Sequence, residues 1–194
     1  MISVAKATAL PGWRAWAIAL LIAAAAAVVL YAFGRPPICT CGTIDLWHGD
    51  VFSAENSQHL TDWYSPSHVL HGLVFYLALR LVMPNRGLGP RLVAAILVET
   101  AWEVLENTDM MIDHYRETTI ALGYYGDSII NSASDLTMMS LGFLIAARAP
   151  VWLSVGLFLT AELVVGWVIR DGLMLNVVML VWPFESILTW QAGG

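Results

Sequence analysis

The sequence predicts an all-α protein, a polytopic transmembrane helical bundle of about six spans, on three observations. Of its 194 residues 58% are apolar or aromatic and only 12% are charged, where a soluble domain carries about 25% charged residues. Mean hydropathy is +0.68. The apolar residues gather into runs of the length, around 20 residues, that carries a helix across a hydrocarbon core of about 30 Å. So little charge cannot clothe a water-facing surface, which excludes an ordinary soluble enzyme and a disordered chain. Nine basic residues against fifteen acidic ones, net −6, exclude nucleic acid as a partner.

The first span runs from Ala15 to Phe33, entered through Trp13, Arg14 and Trp16. Its apolar run exceeds the roughly 7–15 residues of a signal-peptide core, so it reads as a retained anchor. His68–Met83, Leu92–Glu106, Ser128–Ala147 and Val151–Ile169 follow as spans two to five. Leu173–Trp190 is a weaker sixth, kinked or re-entrant, because Pro183 interrupts its hydrogen-bond ladder and Glu185 follows. With no linker or repeat, residues 1–194 read as a single integral membrane domain with a polar outer loop at about 35–67.

Basic residues orient the spans. Lys6 and Arg14, then Arg80, Arg86 and Arg91, then Arg148 lie on segments that alternate to one side, which the positive-inside bias makes cytoplasmic. Arg35–Ser67 and Asn107–Asp127 become the outer loops, and Arg170 is the exception on that side. The expected location is a bacterial inner (plasma) membrane, with both termini cytoplasmic.

The scarce polar residues fall in three groups. His68 and His71, three apart, share one helical face at the start of span two, behind Ser65 as cap and Pro66 as the helix start. Such a pair can offer two imidazoles to one metal ion. In span three Glu99, Glu103 and Glu106 form a stripe about 60° wide at 100° per residue. Carboxylates there cannot face lipid, at a cost of at least ~2.5 kcal/mol each, and three so close repel unless a cation or a proton sits among them. Asp127, Asn131 and Asp135 line one face at the start of span four, where Asp127 also reads as a helix N-cap. On the expected topology His68, His71, Glu103, Glu106, Asp127 and Asn131 come out at one level near the outer face, with Glu99, Asp135 and Glu162 deeper. Three helices aiming histidines and carboxylates at one depth is what a metal site in a bundle core needs; the plainer alternative is a buried polar network that fixes helix register.

The outer loop DLWHGDVFSAENSQHLTDWYSPSH is too polar for a spacer and reads as a lid or ligand donor, with His48 and His59 foremost. Cys39 and Cys41, separated by one residue, read as structural. Trp63, Tyr64, Tyr124 and Tyr125 sit near span ends, as interfacial anchors do.

The strings DLWHGDVFSAENSQHLTDWYSPSHVLHG, ETAWEVLEN and GDSIINSASD together resemble an uncharacterised family of small bacterial inner-membrane proteins classed as a domain of unknown function, over roughly Cys39 to Gly142. More distantly, the pattern is similar to VanZ-like membrane proteins: a His opening one span, Glu in the next, then Asp and Asn before a Gly-containing span. The matching positions are His68 or His71, Glu99 or Glu103, and Asp127, Asn131, Asp135 and Gly142. The sequence departs in lacking an Arg or Lys beside these positions, unless Arg116 serves. Neither resemblance implies an activity.

The residues themselves point first to a metal-assisted hydrolase or transferase acting on a membrane lipid or lipid-linked substrate at the outer leaflet. His68, His71, Glu103, Glu106 and Asp127 are the candidate ligands of a divalent metal ion, and Glu99 or Asp135 the general base or proton store. A second reading is a non-enzymatic accessory or assembly subunit that docks a membrane protein partner or holds a tetrapyrrole through a histidine. A third is a small proton-coupled transporter along Glu99, Asp135 and Glu162, against which stands the lack of an inverted repeat.

Overall fold

The computed structural model describes residues 10–193, which form eight helices and no strand. Five are long: α1 (Trp13–Ala32), α2 (Ser65–Val82), α3 (Leu88–Glu106), α5 (Ile129–Arg148) and α6 (Val151–Ile169). Three are short: α4 (Asp109–Thr118), α7 (Leu173–Val181) and α8 (Glu185–Gln191). The long helices coincide within a few residues with the first five expected spans. α1, α5 and α6 are long and apolar enough to cross a membrane on composition alone. α2 and α3 match them in length but carry the histidines and glutamates. Lys6, used above for orientation, lies outside the described residues.

The core forms where α5 packs against α2 and α3, with α1 behind α3 and α6 against α2. Leu92, Ala95, Met139 and Phe143 are fully buried there, and Tyr76 meets Phe143 edge to face at 5.4 Å. The outward sides of α1 and α6 keep Leu20, Leu21, Val28, Leu163 and Trp167 exposed, as a lipid-facing surface requires.

Two glycines set the central crossing. A methyl group on Gly72 would overlap the Met139 carbonyl oxygen, and one on Gly142 would overlap that of Val69. α2 and α5 therefore touch backbone to backbone, one turn from His68 and next to His71 on α2, and two turns from Asp135 on α5.

Entry into α2 differs in detail from expectation. Ser65 is already helical and Tyr64 is the cap; Asp62 Oδ1 accepts from the N–H groups of Tyr64 (2.7 Å) and Ser65 (3.3 Å), while Ser65 Oγ accepts from Asp62 N–H (3.0 Å). This reciprocal arrangement is a capping box shifted toward the N-terminus. The expected loop over Asn107–Asp127 contains a helix, α4. Its Thr108 Oγ1 accepts from Met111 N–H, and Ile112 and Tyr115 form an apolar face three residues apart.

The expected sixth span is a hairpin. Pro183 has no N–H to continue α7, so the chain turns and α8 returns. Arg170, at the end of α6, donates to the Trp190 carbonyl (2.7 Å), which brings the end of α8 back to the end of α6. At nine residues α7 is about 14 Å long, half a bilayer core. The described chain thus begins at one end of the bundle and finishes at the other, whereas six full crossings would put both termini at the same end.

Candidate functional site

α2 starts, α3 ends and α5 starts at one end of the bundle, and their polar faces converge there. His68 Nδ1 lies 2.7 Å from Glu99 Oε1, and His71 Nδ1 lies 3.0 Å from both Glu99 oxygens. An ionised carboxylate only accepts, so each imidazole donates its Nδ1–H and keeps its lone pair on Nε2. Glu99 is fully buried and its role in the geometry is to fix two tautomers and two ring orientations.

His68 faces two further acids: Glu103 Oε1 stands 3.7 Å from its Nδ1 and Asp135 Oδ1 3.7 Å from its Nε2. One atom each from His68, Glu103 and Asp135 lies within 4.8 Å of the others, as does one each from His68, His71 and Glu99. Glu103 is 1% exposed, and neither of its carboxylate oxygens has a hydrogen-bond partner among the described residues. A buried carboxylate in that condition costs several kcal/mol unless a proton or a cation completes it.

Of the expected site residues, His68, His71, Glu99, Glu103 and Asp135 come together. Glu106 lines the adjoining cavity instead. Asp127 is engaged: Asn107 Nδ2 donates to its Oδ2 (2.6 Å), Tyr124 donates to its Oδ1 (3.1 Å), and its own N–H donates to Asn107 Oδ1 (2.7 Å). It latches the end of α3 to the start of α5. Burial pushes its carboxyl up to about 6, against the two hydrogen bonds that hold it down. Asn131 likewise ties the outer loop, donating to the His59 carbonyl (2.8 Å). Glu162 accepts from the N–H groups of Leu173 (2.9 Å) and Met174 (3.0 Å), capping α7. Arg116 pairs with Asp113 (3.4 Å) and covers the Tyr125 ring (4.4 Å), so it supplies no cation to the cluster.

An open-mouthed cavity reaches this cluster. Its wall includes His68, His71, Asp135 and Glu106 from the bundle, Asn56, Ser57, Asp62 and Tyr64 from the outer loop, and Trp102, Tyr115, Tyr124 and Asn176. The loop is a lid in position. It is fastened over the bundle by Ser128 N–H to the Ser57 carbonyl (3.0 Å) and by Gln58 Nε2 to the Gly126 carbonyl (2.6 Å). His48 and His59 do not line the cavity. Tyr124, expected as an interfacial anchor, is buried, whereas Tyr125 is exposed. Burial, then the carboxylates of Asp127 and Glu106, push the Tyr124 hydroxyl above the usual phenol range and keep it a donor. Trp102, Tyr115 and Asn176 carried no signal in the sequence beyond residue type; α4 and α7, which hold the latter two, contact one another through Tyr115 and Asn176 (3.3 Å).

Residues 30–193 match the family described as "Protein of unknown function (DUF2585)". The chain belongs to the DUF2585 family. Similar proteins, each called "UPF0314 protein", come from Paracoccus denitrificans (56% identical over 178 residues, 92% of each chain) and Sphingopyxis alaskensis (52% over 179 residues, 92% of this chain and 95% of the relative). Another is from Novosphingobium aromaticivorans (53% over 175 residues, 88% of each chain). The match continues past Gly142 to α8, so the C-terminal hairpin is part of the DUF2585 domain. No solved structure matches the chain.

Proposed function

We propose that this DUF2585 protein is a membrane metalloprotein that uses a divalent cation, held by His68, Glu103 and Asp135, to assist hydrolysis or group transfer on a lipid or lipid-linked substrate. The observation that carries the reading is Glu103, buried with both oxygens unpartnered beside His68 and Asp135. One imidazole and two carboxylates suit zinc or another divalent first-row ion and leave coordination positions for water and substrate. The ion, when bound, supplies an activated water or a polarised phosphoryl or carbonyl oxygen. Glu99 orients His68 through Nδ1, as an outer carboxylate does for a ligating histidine. It also holds His71 so that Nε2 of this cavity-lining residue is free to take a proton. Tyr124 and Trp102 give the cavity an amphipathic wall, and its position at a helix-end level of the bundle suits a substrate whose tail stays in the membrane.

The test is metal analysis of the purified protein in detergent after loading with zinc or manganese. One equivalent is expected, lost on His68→Ala, Glu103→Gln or Asp135→Asn and retained in Asp127→Asn. Retention of the metal in Glu103→Gln overturns the assignment. An absorbance spectrum of the same sample separates it from the tetrapyrrole-binding reading, which requires a Soret band.

A further inference from the structure

The geometry points to a second reactive centre on the outer loop: we infer that the Cys39–Cys41 disulfide is a thiol–disulfide exchange site for a dithiol protein partner. It shares no residue with the proposed metal centre. The two sulfurs are bonded across a single residue, Thr40. A bond that closes so short a loop removes little entropy from the unfolded chain, so it adds little as a structural staple. The segment is pinned without it, because Ile129 and Ile130 donate their N–H groups to the carbonyls of Pro36 (2.9 Å) and Pro37 (3.2 Å).

The surroundings are asymmetric in the way exchange needs. Cys41 is exposed and open to attack, whereas Cys39 is 2% exposed. The Cys41 N–H points at Cys39 Sγ (3.1 Å). His59, with its side chain fully buried, and Glu55 complete the group: a ring nitrogen, a carboxylate oxygen and both sulfurs lie within 4.8 Å of one another. His59 Nδ1 accepts from the Asp45 N–H (3.1 Å), so its proton is on Nε2, 3.2 Å from Glu55 Oε2. The buried imidazole is thus oriented from both sides.

In the exchange a thiolate of the partner attacks Cys41 Sγ. A new sulfur–sulfur bond forms there as the Cys39–Cys41 bond breaks, and Cys39 leaves as a thiolate stabilised by the Cys41 N–H, while the His59 N–H occupies the neighbouring Glu55 carboxylate and lessens its repulsion of the departing sulfur. The partner's second thiolate then attacks its own sulfur in the mixed disulfide and releases Cys41. Two electrons pass from the partner, which ends as a disulfide, to Cys39 and Cys41, which take up two protons.

Reduced glutathione serves as the probe, with the folded full-length protein in detergent at neutral pH and acid-quenched samples mapped by mass spectrometry. The expected result is opening of the disulfide in the folded protein through an adduct on Cys41. His59→Phe, which keeps the ring's bulk and loses the N–H that occupies the Glu55 carboxylate, slows opening about tenfold because that charge then faces the departing thiolate. Glu55→Gln, which removes the negative charge beside the two sulfurs, speeds opening and supplies the test if His59→Phe does not fold. The inference is overturned by a disulfide that opens only on denaturation, by adducts on Cys39, or by unchanged rates in both variants. Stoichiometric zinc on Cys39 and Cys41 thiolates in the protein as isolated also overturns it.

Discussion

At Glu103 the direction of a single substitution depends on what fills the site. With no cation present, the buried unpartnered carboxylate is a cost, and Glu103→Gln relieves a charge that nothing compensates. With the cation bound, the same carboxylate is a ligand. Chelator-treated Glu103→Gln is therefore expected to unfold later than chelator-treated wild type, by about 1–3 kcal/mol, while added metal stabilises only the wild type. Thermal melts in detergent with and without chelator check both halves. Asp171 tests burial of another acid, outside the spans. Burial pushes its carboxyl from 3.8 up to about 6, opposed by hydrogen bonds from Gly172, Tyr64 and Asn176. A carboxyl raised in the folded state binds more protons folded than unfolded between about 4 and 6. Its contribution to stability is present at the acid end and is lost as pH rises through 6. Asp171→Asn is expected to flatten the fall in melting temperature between pH 4 and 6.5; an unchanged slope refutes the assignment to this residue.

At the scale of elements, the α2–α5 crossing positions the cluster, and its glycines leave no room for a side chain. Gly142→Ala is expected to destabilise by about 1–3 kcal/mol, because backbone rather than a mobile side chain must give way. The same shift is expected to part His68 from Asp135, so zinc affinity is expected to fall although none of the proposed ligands is changed. Glu162→Ala removes the acceptor for two amides at the start of α7. Hydrogen exchange at Leu173 and Met174 is expected to accelerate, with a stability loss of about 1–2 kcal/mol and no change at α1 or α3. The five long helices were legible because their apolar runs are long enough to span, and the polar residues that interrupt α2, α3 and α5 fall on one face of each. α4 was not, since its ten residues are polar on average and only Thr108 as a cap with Ile112 and Tyr115 on one face marks it. Pro183 was legible as a break, but whether the chain crosses after it depends on where Arg170 finds the Trp190 carbonyl.

At the scale of the whole molecule, the turn at Pro183 brings the end of α8 back to the end of α6, and this hairpin carries a prediction about topology. Small epitope tags on the two termini are expected on opposite sides of the membrane. Protease applied to sealed vesicles should remove one tag and spare the other; equal protection of both would restore a sixth crossing. The lid has a similar whole-molecule origin, because residues 56–64 are tied over the cavity by hydrogen bonds to Gly126, Ser128, Asn131 and Asp171, each more than sixty positions away.

The sequence by itself determined that the chain is helical and suited to lipid, and that its acids and histidines on α2, α3 and α5 face inward at one end. Apolar run length and the price of a lipid-facing charge are local properties, readable residue by residue. It could not apportion roles within the polar group. Spacing placed Glu99, Glu103, Glu106 and Asp127 on equal footing, and only packing made Glu99 the anchor of two imidazoles, Asp127 a latch, Glu106 a cavity wall and Glu103 the carboxylate without a partner. Those roles depend on which neighbour lies within about 3 Å, a distance set by the glycine crossing and the folded loop and by no motif.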